Sequence, residues 1–276
     1  MRVIVTGASG FIGERLLCAI SAMGVDCIGV ARRPLPGAAL HVVASYGDCP
    51  VGDVLIHLAE PPDRRAANAA GEDHVRATVE RLDSLLARRF QAVIYASSAA
   101  LYGYAASQPR RVGDPTPADD PYARAKLACE ARVTTSGGVV ARLANVYGPR
   151  MHPNNVVSAI LRQIPGRGTL RVRDGSPVRD FIWVDDVASA LAAMLRAPKG
   201  SVLNVGSGTG LSVRDLAQLA LAAAGESNRV IEETAPGAHP SSLVLDIDDT
   251  IRTLNWAPRM MPGEGIGRLV KRIEPR

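Results

Sequence analysis

Short apolar runs alternate with amphipathic stretches from the first residues of the chain. Arg2–Thr6 is a β-branched run and reads as a strand. A Gly-rich turn follows, then a helix-period stretch from Phe11 to Met23 that Gly24 stops. Cys27–Val30 reads as a second strand and Leu40–Val43 as a weaker one. Val54–Leu58 (VLIHL) is apolar nearly throughout, as expected of a strand covered on both faces. A charged amphipathic helix is predicted over about Glu72–Arg89, a strand over Ala92–Ala96, a helix over Asp120–Thr134 and, after Gly137-Gly138, a strand over Val139–Leu143. Such alternation predicts βαβ units with right-handed crossovers, hence an α/β fold with a doubly wound parallel sheet. The second half is looser. Asn155–Ile164, Asp185–Arg196 and the apolar Val213–Ala224 read as helices, and Leu170–Val172, Phe181–Val184 and Val202–Val205 as strands. The expected organisation is a sheet domain over residues 1–145 and a smaller α/β lobe over 146–276, with about 179–205 returning to the sheet domain.

Composition narrows the class. With 276 residues, 47% hydrophobic and 21% charged, the chain can bury a large core. No apolar stretch approaches the roughly 18 residues of a membrane span. Only Met1 and Arg2 precede the first apolar run, so no signal peptide and a cytoplasmic location are expected. The excess of +5 is modest and suits a small phosphate-bearing ligand better than a nucleic acid, and 4% aromatic residues make no base-stacking platform. Cys18, Cys27, Cys49 and Cys129 show no metal-ligand spacing and read as reduced thiols, with no metal expected.

The first turn carries the first chemistry. Thr6-Gly7-Ala8-Ser9-Gly10-Phe11-Ile12-Gly13 follows a strand and opens a helix. Gly7 and Gly10 let bare backbone bend towards a pyrophosphate, Gly13 lets helix and strand pack closely, and the helix N-terminus offers N–H groups to the phosphates. That context points to a dinucleotide. A carboxylate normally ends the second strand when NAD is bound, because it accepts from the ribose 2′-OH. Here the sequence is Val30-Ala31-Arg32-Arg33. Arg pairs well with a 2′-phosphate, so NADP is expected over NAD, with Arg32 as its contact; a solvated Arg pair is the plain alternative.

Tyr122 and Lys126 stand at i and i+4 of a helix and share a face. Ser97 and Ser98 follow the strand Ala92–Ala96, where a hydroxyl can either cap the strand end or hold a substrate oxygen. Together with TGASGFIG, VLIHLAE (Val54–Glu60), SSAALYG (Ser97–Gly103), YARAKLACE (Tyr122–Glu130), RLANVYGPR (Arg142–Arg150), RDFIWVDDVASAL (Arg179–Leu191), LNVGSG (Leu203–Gly208) and LNWAP (Leu254–Pro258), these residues fall in a characteristic order. The chain resembles the extended short-chain dehydrogenase/reductases, in particular the NAD(P)-dependent nucleotide-sugar epimerase/dehydratase group, over nearly its whole length. The resemblance implies a Rossmann-type sheet domain with a C-terminal substrate lobe. It implies Tyr122 as general acid/base, Lys126 as the group that tunes it and holds the cofactor ribose, and Ser98 on the reacting oxygen. Cofactor contacts would come from Gly7, Ser9, Gly10, Phe11, Ile12, Gly13, Arg32, Leu58, Ala59, Tyr122 and Lys126. Substrate contacts would come from Ser98, Asn145 and Arg179, the last on a nucleotide diphosphate. His57 reads as a packing residue. A nucleotide sugar as substrate and a homodimer through the helices at Tyr122 and Glu72–Arg89 are implied too.

Departures from the family pattern narrow the chemistry. Ala99 and Ala100 stand where dehydratases carry an Asp-Glu pair, so acid–base removal of water is not expected. His74-Val75 replaces the usual Asn-Val, and no Arg precedes Pro236-Gly237. The segment Pro34–Asp53 is too short for a full helix between its neighbouring strands. The expected activity is epimerisation or 4-keto reduction of a nucleotide sugar. The alternatives are a dehydrogenase or reductase of a smaller sugar acid or ketone, and a non-catalytic cofactor sensor.

Overall fold

Strands buried on both faces can satisfy their backbone only by pairing with other strands, so the most apolar runs belong in the middle of one sheet. The computed structural model describes residues 1–61, 63–105, 108–164, 166–237, 239 and 241–273. In chain order its elements begin β1 (Arg2–Thr6), α1 (Gly13–Ala22), β2 (Asp26–Ala31), β3 (Leu40–Val42), β4 (Val54–His57), α2 (Arg64–Ala70), α3 (Glu72–Leu86), β5 (Ala92–Ser98), α4 (Pro121–Thr135) and β6 (Val139–Leu143). They continue with β7 (Asn145–Tyr147), α5 (Val156–Leu161), β8 (Leu170–Val172), β9 (Val178–Trp183), α6 (Val184–Ala193), β10 (Val202–Val205), β11 (Gly210–Ser212) and α7 (Val213–Ala223). Last come β12 (Ile231–Glu233), β13 (Ser242–Leu243), α8 (Asp248–Leu254) and α9 (Pro262–Val270).

A seven-stranded parallel sheet runs in the order β10-β6-β5-β4-β1-β2-β3, with the wholly buried β4 and β6 inside it. The alternating side chains of β1 serve two layers. Val3 and Val5 pack with Leu16 and Ile20 of α1 and with Val187 and Leu191 of α6. Ile4 faces the other layer, with Leu82 and Leu85 of α3 and Cys129 and Val133 of α4. This is the doubly wound arrangement the alternation predicts. A second core joins α5, α7 and α9 to β8 and β9, with Tyr147 edge-on to Trp183 at 5.4 Å. β9 is the hub of a smaller sheet, flanked by β11 and β13 and paired with β7. Among the described residues no helix is long and apolar enough to cross a membrane, and the four cysteines are unpaired.

Several boundaries move for identifiable reasons. α1 starts at Gly13 rather than Phe11, because the Gly10 N–H bonds to the Gly7 carbonyl at 2.9 Å and closes a turn first. α3 ends at Leu86, short of Arg89, which has a φ of 56°. β5 extends through Ser98, since Ser97 and Ser98 still pair with Arg142 and Leu143. β9 starts at Val178 because Val178–Asp180 pairs with β11. No apolar periodicity predicts α2; Asp63 opens it by accepting from the Ala66 N–H at 3.0 Å. Between β3 and β4 only a 3₁₀ turn at Tyr46–Asp48 forms, in keeping with the shortness of that segment.

α4 is tied to β6 by a buried ion pair. Arg142 Nη2 and Nε donate to the Glu130 carboxylate at 2.7–3.2 Å. Arg142 Nη1 also donates to the Tyr102 hydroxyl at 2.8 Å, which in turn donates to Asn204 Oδ1 on β10. Removing one partner leaves a charge out of water and alone. Glu130→Ala should therefore lower the unfolding free energy by about 3–5 kcal/mol in urea titrations; a loss below about 1 kcal/mol would refute this role for the pair.

Candidate active site

The glycine loop brings bare backbone to the start of α1. Gly7 has a φ of +73°, and a Cβ there would lie 2.9 Å from the Leu58 carbonyl carbon. A Cβ on Gly13 would fall on the Gly7 carbonyl oxygen. No side chain caps α1 at Ile12, so its first turn is open to an anion. These features fit a dinucleotide pyrophosphate. Ser9 is half-buried and Gly10 exposed in the same turn. Phe11 and Ile12 line the adjoining cavity with Leu58, and Ala59 packs beneath with α3.

That cavity, about 620 Å³, lies between the C-terminal ends of β4 and β5 and the start of α4. Tyr122, Lys126, Ser98 and Asn145 all line it. Position N2 of α4 places Tyr122 at the cavity mouth, and α2 holds that helix end. Asp120 caps α4 through the Ala123 N–H at 2.8 Å, and Asn68 Oδ1 accepts from the Tyr122 N–H at 3.0 Å. Asn68 Nδ2 and Arg64 Nε both donate to Asp120 Oδ2, at 3.0 and 2.9 Å. Lys126 follows one turn later, its Nζ 6.0 Å from the Tyr122 ring centroid.

Lys126 is nearly out of water, and its partners are specific. Nζ donates to the Ala96 carbonyl at 2.7 Å and sits 2.6 Å from Glu60 Oε2. The other Glu60 oxygen accepts from the Tyr95 hydroxyl at 2.6 Å. Burial is the largest influence and pushes the Glu60 carboxyl up; the charges and hydrogen bonds of Lys126, His57 and Tyr95 together outweigh it and hold the group below the usual carboxylate range. Burial is likewise the largest influence on Lys126 and pulls it down; Glu60, Tyr122 and Cys129 together outweigh it, so the ammonium is held above its ordinary value. His57 is packed as expected, Nδ1 bonded to Thr6 Oγ1 at 2.7 Å between Tyr46 and Tyr95. Burial pushes His57 down to about 4.

The remaining candidates divide. The Ser98 Oγ faces the cavity and also accepts from the Ala100 N–H at 3.2 Å, so it caps the 3₁₀ turn Ala99–Tyr102 while remaining at the site. Asn145 donates to the Asp180 carbonyl at 3.1 Å. Ala99 and Ala100 line the cavity and bring it no acid or base. Arg179 lies outside the cavity lining. Its guanidinium donates to Ser241 O and Oγ at 2.9 and 2.8 Å and stacks 4.5 Å from the Tyr104 ring centroid, with Arg64 at 5.0 Å from the same ring. Arg32 also lies away from the cavity, exposed past the end of β2 with its guanidinium 5.8 Å from the Tyr46 ring centroid. Four participants are assigned no role by the sequence motifs: Glu60, Tyr95, Arg64 and Asn68. The available signal for Glu60 is an acid three residues beyond a buried strand; for α2 it is only the capping residue Asp63, since RRAANAA carries no apolar stripe.

Known proteins resemble the chain in sequence and fold. The model of the NAD dependent epimerase/dehydratase family matches residues 3–206. UDP-glucose 4-epimerase of Mycolicibacterium smegmatis is 29% identical across 98% of both chains. The structure of RMD from Pseudomonas aeruginosa complexed with NADPH has a TM-score of 0.84 and 27% identity, over 98% of this chain and 97% of that one. UDP-glucose 4-epimerase of Thermotoga maritima with UDP-glucose has a TM-score of 0.85 and the same fold at 24% identity, over 98% of each chain.

Stability should carry the mark of His57. Its folded value of about 4 lies below the ordinary imidazole value of 6.5, so the unfolded chain takes up the proton first. The stabilisation is complete above pH ~6.5 and is lost as pH falls towards 4, by an amount on the order of 3 kcal/mol. Urea titrations between pH 7 and 4 should show a shallower fall for His57→Gln; parallel profiles for the two proteins would contradict this.

Proposed function

Because the chain belongs to the NAD dependent epimerase/dehydratase family, we propose that it acts on a nucleotide sugar by reversible hydride exchange at a sugar carbon, as a C4 epimerase or a 4-ketoreductase. The observation that carries this reading is the meeting of Tyr122, Lys126 and Ser98 in one cavity beside the glycine loop. The nicotinamide, when bound, takes up and returns a hydride. In the oxidative direction Tyr122 takes the proton of the reacting hydroxyl, and in the reductive direction it gives the proton back. The Lys126 ammonium offers positive charge to the phenolate that forms. Ser98 holds the reacting oxygen, and Asn145 meets the sugar.

The dinucleotide is held by the Gly7–Gly13 loop with Leu58 and Ala59. Arg32 favours NADP, because no carboxylate stands at the end of β2 to accept from a ribose 2′-OH. Arg179 meets the diphosphate by leaving its resting place on Ser241. The apolar Ala99 and Ala100 favour epimerisation or reduction over loss of water. A homodimer formed across α3 and α4, which pack side by side on one face of the sheet, belongs to the same reading.

The test is a panel of UDP-, GDP- and dTDP-sugars and their 4-keto forms with NAD(H) and NADP(H), followed by absorbance and mass. One nucleotide sugar should be converted, and Tyr122→Phe should lower that turnover about a thousandfold with cofactor affinity unchanged. Undiminished turnover would remove Tyr122 from the mechanism. Arg32→Ala should weaken NADP(H) binding roughly tenfold while sparing NAD(H), read by fluorescence titration; equal effects on both cofactors would remove the assigned contact.

A further inference from the structure

Glu60 is the one acidic side chain, among the described residues, that lines the cavity close against Lys126. Its carboxylate is 2.6 Å from Nζ, and both side chains are only 8% exposed. The Tyr95 hydroxyl donates to its second oxygen, so the carboxylate is fixed in place. The neighbouring imidazoles add no charge at neutral pH, since burial lowers both His57 and His74. Glu60 and Lys126 therefore form a nearly neutral pair at the cavity floor. Take Glu60 away, and the ammonium stands alone in a site of low dielectric.

We propose that Glu60 sets the redox poise of the site: by cancelling the charge of Lys126, it lets the cavity hold the oxidised, positively charged nicotinamide about as well as the reduced, neutral one. The inference rests on the reading of this cavity as the hydride-transfer site. Hydride exchange at a carbon whose hydroxyl meets Tyr122 requires the nicotinamide ring in the same cavity as Lys126 and Glu60. An unbalanced ammonium there repels the oxidised ring and leaves the reduced one nearly untouched. Glu60 is thus a positioning and charge-balancing residue, acting through Lys126 and through the field of the cavity. Its presence suits an enzyme that must begin its cycle in the oxidised state, as an epimerase or a dehydrogenase does.

The experiment measures equilibrium dissociation constants of NADP⁺ and NADPH, and of NAD⁺ and NADH, for the wild type, Glu60→Gln and Glu60→Asp. The readout is the ratio of oxidised to reduced Kd. Glu60→Gln should raise this ratio about tenfold, equivalent to about 30 mV in the bound two-electron couple. Glu60→Asp, which keeps the charge, should leave it within about twofold of wild type. Glu60→Ala serves as a second neutral variant, and its ratio decides if Glu60→Gln does not fold. A merely structural role weakens both forms equally and leaves the ratio where it was, which overturns the proposal. If the wild type binds no form of either cofactor, the hydride-transfer reading itself fails; if it binds both and the neutral variant has an unchanged ratio, only the role of Glu60 fails.

Discussion

The arrangement at the sheet's C-terminal edge turns on keeping one ammonium charged where water hardly reaches. Moving an isolated charge out of water costs several kcal/mol, so Lys126 has to be met by groups the fold can supply at fixed positions. It is met from two adjacent strands: Ala96 on β5 gives a carbonyl, and Glu60, three residues beyond β4, gives a carboxylate. The parallel pairing of β4 with β5 puts those two strand ends side by side. α4 then has to cross above them with its second turn over the gap. The sheet order is therefore a precondition of the Lys126–Glu60 pair as well as a way to bury apolar strands.

α2 and the smaller sheet meet around Tyr104. Arg64, from α2, and Arg179, from β9, stack on the same ring, and each guanidinium is neutralised or satisfied elsewhere: Arg64 by Asp120, Arg179 by Ser241. Two like charges are thus held close by separate anchors, in the region between α4 and the small sheet. Any anion arriving there would compete for donors that already have partners, trading one set of hydrogen bonds for another rather than adding them outright.

Much of this was legible in the sequence because it rests on local sterics or on unbroken burial. TGASGFIG announces its loop because Gly7 and Gly13 sit where a Cβ would collide with backbone. Val139–Leu143, Leu170–Val172 and Val202–Val205 form the strands their apolar runs predict. Tyr122 and Lys126 share a face because four residues make about one turn. The rest depends on partners far along the chain. α2 is a short Ala-rich helix with a single buried residue, held by its bonds to Asp120 and Tyr122, 52 to 56 residues away. β12 and β13 are two or three residues long and exist only through pairing with β8 and β9. Glu60 stands inside a quoted motif, yet its meaning comes from Lys126, which the sequence alone does not bring next to it. Arg179 shows the opposite case: its place in a motif suggests a ligand, while its side chain rests on Ser241.

The buried face of α4 has a consequence for how the helix finds its seat. Beside Ala123, Ala125, Cys129 and Val133, that face carries Lys126 and Glu130, one turn apart. Each meets an opposite charge on a different part of the sheet domain, Glu60 for the first and Arg142 for the second. A greasy stripe of small side chains tolerates rotation or a slip by a residue; two buried charges do not, because turning the helix by the roughly 100° of a single residue would strand both at once. The two ion pairs act as a pair of pins that admit one angular setting of α4, and it is that setting which points Tyr122 at the cavity.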